Sequence, residues 1–140
     1  MAKRKRRTNL ERLMLDKNAE NTYTTTYEDC EKWIRILNRE LFSGYLPPIE
    51  DIDIRWRRKT LAYYTYTVDT KKPEYKKHTL CMNKRYKSKR LFVEVLAHEL
   101  VHHYQFCYDE PMGHGPSFTC WRDLFNKKGL SLAKTYEDEE

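Results

Sequence analysis

No apolar run in this 140-residue chain approaches the roughly 20 residues needed to cross a bilayer. The basic beginning, Lys3-Arg4-Lys5-Arg6-Arg7, is not followed by the apolar core of a signal peptide. With these absences neither a helical membrane span nor a secretory signal is expected, and an intracellular protein without a membrane partner is. Paired cysteines are missing too. Cys30, Cys81, Cys107 and Cys120 are scattered and form no C-x-x-C pair, so reduced, partly buried thiols are expected rather than a cysteine-based zinc site. There is no internal repeat and no sign of a second folded domain. A chain of this length fits one domain able to bury a core without staples, and a monomer is expected.

What is present reads as an α+β domain. Residues 1–24 form a basic, polar arm with a short helix around Leu10 to Leu15. Thr25-Thr26-Tyr27-Glu28 has the T-x-x-E form of a capping box. Cys30, Trp33, Ile34, Leu37 and Leu41 then follow helical spacing, which predicts an amphipathic helix over 27–42, ended by Gly44, Pro47 and Pro48. Ile52, Ile54 and Trp56 alternate with charged residues, as in a strand with one buried face. Leu61 to Val68 reads as a second strand and Thr79 to Asn83 as a third. Helices are predicted over 88–106 and 116–127, the latter with Phe118, Trp121 and Phe125 facing inward and Gly129 at its stop. The expected domain covers residues 25–134: a small, three-stranded antiparallel sheet packed against helices, followed by an acidic tail over 135–140.

The predicted helix over 88–106 carries His98-Glu99-Leu100-Val101-His102, an H-E-x-x-H motif. Residues four apart share a helical face, so both imidazoles can reach one metal ion while Glu99 reaches a water on it. Leu91, Val95, Leu96, Leu100 and Val101 surround the motif with apolar residues. Two histidines and a glutamate in such a helix are costly to bury without a partner, and a metal is the simplest one. Zinc favours His nitrogens and, when catalytic, uses three protein ligands plus water. Gly113-His114-Gly115-Pro116-Ser117-Phe118 offers the third ligand: it follows a turn, its glycines permit a tight fold, and Pro116 can open the next helix. Glu110 competes as a carboxylate ligand, and Cys107 is a lesser competitor. His103 projects about 100 degrees away from His102 and should miss the same ion. His78, among lysines, is expected at the surface.

H-E-L-V-H followed by G-H-G-P-S-F resembles the SprT-like (Spartan-type) metallopeptidases, in which the third-histidine element typically reads G-H-G-P-x-F. The upstream order is similar too: a helix ending in Leu41-Phe42, then Leu46-Pro47, then a strand carrying Arg55-Trp56. The resemblance covers roughly residues 26–130. It implies a zincin-like helix, Zn2+ held by His98, His102 and His114, Glu99 as general base, and cleavage of proteins, notably those crosslinked to DNA, with activity linked to DNA binding. Many relatives follow this domain with a cysteine-based zinc module or a long tail. This chain ends soon after the third helix, a departure that bears on regulation and partner recruitment and not on the core chemistry the resemblance implies.

Charge is uneven. Residues 55–90 hold thirteen Lys and Arg against Asp69 and Glu74, interleaved with Trp56, Tyr63, Tyr64, Tyr66, Tyr75 and Tyr86. Basic side chains neutralise phosphates and aromatic rings stack on exposed bases, which makes Arg55, Trp56, Arg57, Arg58, Lys59, Lys84 and Arg85 candidate nucleic-acid contacts. DNA is the expected partner besides a protein substrate; single-stranded and duplex forms both remain open. Lys3 to Arg7 could be a disordered arm, a nuclear address or a nucleic-acid clamp. The expected reaction is peptide hydrolysis with Glu99 as base and Tyr104, Tyr63 and Tyr64 as candidate oxyanion donors. Two other readings stand beside it: a non-catalytic nucleic-acid-binding module with structural zinc, and a viral or phage maturation peptidase that needs no nucleic acid.

Overall fold

The computed structural model describes residues 6–72, 74 and 76–133; the tail over 135–140 and the charges of Lys3 to Lys5 lie outside them. In chain order the elements are helix α1 (Asn9–Leu15), a 3-10 turn (Lys17–Glu20), β1 (Tyr23–Thr24), α2 (Tyr27–Leu41), β2 (Ile52–Arg55), β3 (Ala62–Val68), β4 (Lys76–Asn83), β5 (Arg85–Tyr86), α3 (Lys89–Cys107), α4 (Pro116–Thr119) and α5 (Arg122–Lys127).

The α+β class and the three-stranded sheet match the sequence reading, but one strand pairing differs. The order is β2-β4-β3, with β3 antiparallel and β2 parallel to β4. The chain reverses once between β2 and β3 and again between β3 and β4, so β2 and β4 point the same way. β4 holds the centre because Leu80, Cys81 and Met82 are all buried there, as a strand covered on both faces requires. The short ribbon of β1 against β5 was not expected.

The part of the supposed polar arm from Thr8 onward is folded onto the body. Leu10, Leu13 and Ala19 are buried. Arg90 of α3 donates to the carbonyls of Leu13, Met14 and Asp16 at 3.1, 2.8 and 2.9 Å, which satisfies the end of a helix too short to stand alone. The α2 cap lies one residue later than the capping box suggested. Thr26 accepts from the Asp29 backbone, while the Thr25 hydroxyl donates to Asn83 O at 2.7 Å. The helix expected over 116–127 is broken at Cys120-Trp121, where Trp121 N bonds back three residues to Phe118 O at 3.2 Å. Trp121 packs on Phe42, ring centroids 4.8 Å apart.

α3 is the core of the molecule. Ser88 caps it, and it is buried from Phe92 to Phe106 around most of its circumference, against α2 on one side and β3 on the other. Among the described residues no helix is long and apolar enough to cross a membrane.

Candidate metal centre

α3 carries His98, Glu99 and His102 on its inward faces. The Nε2 atoms of His98 and His102 lie 3.2 Å apart. His114 arrives from the loop after α3, which turns at Asp109 and Gly113, with φ of 53° and 111°; the second is a left-handed conformation suited to glycine. Pro116 then opens α4 in the first-turn position it favours. One ligand atom from each of His98, His102 and His114 falls within 4.8 Å of the other two. Phe118, fully buried, lies beneath all three rings at centroid distances of 4.9, 5.3 and 4.7 Å. Zinc–nitrogen bonds of about 2.0–2.1 Å in a tetrahedron put ligand atoms about 3.4 Å apart, so the 3.2 Å separation fits a shared ion. Three imidazole nitrogens are also a donor set that zinc accepts.

The competing ligands stand elsewhere. Among the described residues, these three histidines are the one group able to hold a metal. His103 is fully buried and its Nε2 bonds to Pro47 O at 2.8 Å, away from the cluster. Cys107 Sγ lies 3.6 Å from the His103 ring. Glu110 does not join the group, although its Oε1 is buried. His78, expected at the surface, is half-buried: its Nε2 accepts from Glu50 N at 3.0 Å and its ring stacks on Tyr64.

Burial dominates the electrostatics. It pushes His98 down to about 3, helped by His102 and His114. His102 is lowered for the same first reason, opposed by its hydrogen bond to Gln105. Neutral imidazoles are the ligand form. Glu99 is 5% exposed and burial raises it to about 8. Its Oε1 lies 3.9 Å from His98 Nε2, where a cation on the histidines would offset that penalty.

The centre opens on a cleft of about 690 Å3 walled by residues 59–64 and Tyr66 opposite His98, Glu99, His102 and His114. β3 pairs only with β4, so its outer edge has no strand partner among the described residues. Of the three tyrosines considered as oxyanion donors, Tyr104 packs between Trp121 and Tyr108 and does not line the cleft. Tyr63 contributes to the wall but its ring lies under Arg57, 4.7 Å from the guanidinium carbon. Tyr64 lines the cleft with its hydroxyl bonded to His103. Tyr66, 45% exposed, also lines it; the sequence marked it only as one of the aromatic residues of the basic stretch.

The basic residues divide into two groups. Trp56, Arg57, Arg58 and Arg85, joined by Lys87, line a hollow of about 270 Å3 in which Trp56 is 65% exposed. Arg55 and Arg57 are paired with Asp53 at 3.0 and 3.4 Å, and Lys59 faces the metal-centre cleft instead. Lys84 is exposed, with its backbone N bonded to Arg55 O. Asn83 shapes this loop: its Nδ2 donates to Arg57 O and Thr60 O at 2.8 and 2.9 Å. Nothing in the spacing of Asn83 or Lys87 marked them beforehand.

A family model described as the SprT-like family matches residues 30–137. The match spans the three histidines, Glu99, the sheet and the basic loop. No curated protein sequence matches the chain.

Proposed function

The chain belongs to the SprT-like family, and on that premise we propose that it is a zinc-dependent metallopeptidase acting on proteins associated with or crosslinked to DNA. The observation that carries this reading is the convergence of His98, His102 and His114 beside Glu99 at the floor of an open cleft. His98, His102 and His114 would hold the ion. When bound, zinc supplies Lewis acidity toward a peptide carbonyl and toward water. Glu99 takes a proton from the attacking water and returns it to the leaving amine. Glu99 lines the cleft beside His98, and the outer edge of β3 offers backbone groups against which an extended peptide can lie.

Two features weigh against a purely structural zinc. Structural sites are usually closed by four protein ligands, and the described residues supply three. The site also lines a cleft rather than a sealed core. The Trp56 hollow, with Arg58, Arg85 and Lys87, supports contact with DNA, since an exposed ring stacks on bases and the cations neutralise phosphates. The test is zinc analysis of the purified chain together with protease assays on free and DNA-bound protein, with and without single-stranded DNA. Stoichiometric zinc and turnover are expected. Zinc and DNA affinity without turnover on any substrate would favour the binding module. Turnover indifferent to DNA, with no salt-dependent DNA binding, would favour a maturation-type peptidase.

A further inference from the structure

We propose that Gln105 is a positioning residue of the metal centre, holding His102 in the tautomer that bares Nε2 and tying the His114 loop to the same helix. The inference rests on the reading that the three histidines hold zinc. Gln105 follows His102 by three residues on α3, so the two share a face, and it has no exposed surface.

Its amide orientation follows from its neighbours. Gly113 O can only accept, so the amide nitrogen must face it, at 3.0 Å. The same nitrogen lies 3.0 Å from Ser117 Oγ, and Ser117 gives its own hydrogen to Pro111 O at 2.6 Å. Both amide hydrogens are thereby used. The amide oxygen is left for His102 Nδ1, 2.8 Å away. That oxygen has no hydrogen to give, so the imidazole must donate. A neutral ring that donates from Nδ1 keeps its lone pair on Nε2, the atom 3.2 Å from His98 Nε2.

The other half of the amide brackets His114. Its two tethers, Gly113 and Ser117, lie on either side of that histidine in sequence. Gly113 is in the left-handed region and His114 lies between α3 and α4 without helical support of its own. One buried side chain therefore orients two of the three clustered histidines, which come from different elements. A glutamine buried only for packing would not need an acceptor on one histidine and donors around another.

Gln105→Leu keeps the volume and removes both functions. Gln105→Glu keeps an acceptor for His102 and removes the donors to Gly113 and Ser117. Two measurements on the full chain separate the roles: zinc affinity by chelator competition, and the His102 tautomer by long-range nitrogen–proton NMR of the zinc-free protein. Wild type should show His102 protonated at Nδ1. Gln105→Leu should lose that signature and bind zinc about 10- to 100-fold more weakly. Gln105→Glu should recover the signature with intermediate affinity. A wild-type His102 protonated at Nε2 would overturn the proposal even if the leucine variant fails to fold, and so would wild-type zinc affinity in Gln105→Leu. A wild-type chain that binds no zinc while His102 stays protonated at Nδ1 would instead overturn the metal reading and leave the Gln105–His102 link standing.

Discussion

The Tyr64 hydroxyl and His103 Nδ1 lie 2.8 Å apart, and His103 completes its pairing by donating from Nε2 to Pro47 O at 2.8 Å. With Nε2 committed as donor, Nδ1 accepts and Tyr64 donates. The histidine next to the motif thus pins a tyrosine of the cleft wall and joins β3 to α3.

This arrangement makes His103 a neutral histidine. Burial pushes it down to about 4, with the Pro47 bond opposing, against about 6.5 in an unfolded chain. Its folded value is depressed, so its stabilising contribution is complete above about pH 6.5 and is lost as pH falls from there toward 4. The stability gap between wild type and His103→Leu should narrow by about 3 kcal/mol over that window in urea titrations. A His103 ring resonance titrating near pH 6.5 would contradict the assignment.

Replacing His114 by Ala removes one of the three clustered histidines and leaves α3 intact. Zinc content after dialysis should fall well below one per chain, with little change in helix content. Glu110→Gln, at the competing carboxylate, should keep full zinc. Wild-type zinc in the His114 variant would remove that residue from the ligand set.

Asn83 supports both the basic hollow and the cleft wall: its side-chain Nδ2 donates to Arg57 O and Thr60 O, and its backbone N donates to the Tyr86 hydroxyl. Asn83→Ala leaves those carbonyls unpaired in a partly buried loop. A loss of about 3 kcal/mol is expected in chemical denaturation. A change below about 0.5 kcal/mol would mean that the loop holds its shape without Asn83.

The basic residues that line the Trp56 hollow are the ones placed to meet DNA. Arg57 stacks on Tyr63 and pairs with Asp53, so its loss should affect folding more than DNA contact. Replacing Arg58, Arg85 and Lys87 by Glu should weaken DNA binding and flatten its salt dependence, because fewer counterions are released. Trp56→Ala should lower single-stranded affinity by about 1–3 kcal/mol. Unchanged binding in both variants would place any DNA contact elsewhere.

The histidine cluster was legible because its pattern is written in local spacing. Helical periodicity alone puts His98 and His102 on one face, and the Gly-His-Gly-Pro turn announces a loop histidine. It also separated His103 from the cluster. Gln105 was not legible: one glutamine in a helix reads as a polar residue until the partners at Gly113 and Ser117, eight and twelve positions away, are seen. Arg90 has the same character, since its partners at the end of α1 and at the Asp16 cap lie 74 to 77 residues away. The polar composition of residues 1–24 hid Leu10 and Leu13, whose burial depends on that long-range contact. The parallel pairing of β2 with β4 was missed because alternation gives a strand's buried face but not its neighbour. His78 looked exposed from its lysine neighbours, yet strand alternation turns it toward Tyr64 and His103.

If Glu99 is the base at this centre, Glu99→Gln removes the base and nothing else. Gln matches Glu in shape, so the packing of α3 and the zinc content should be unchanged. Its amide cannot accept the proton, and kcat should fall about a hundredfold to ten-thousandfold while substrate and DNA affinity stay near wild type. The expected variant is zinc-loaded, folded and nearly inactive; a Glu99→Gln chain that holds zinc and turns over substrate at close to the wild-type rate would remove Glu99 from the chemistry.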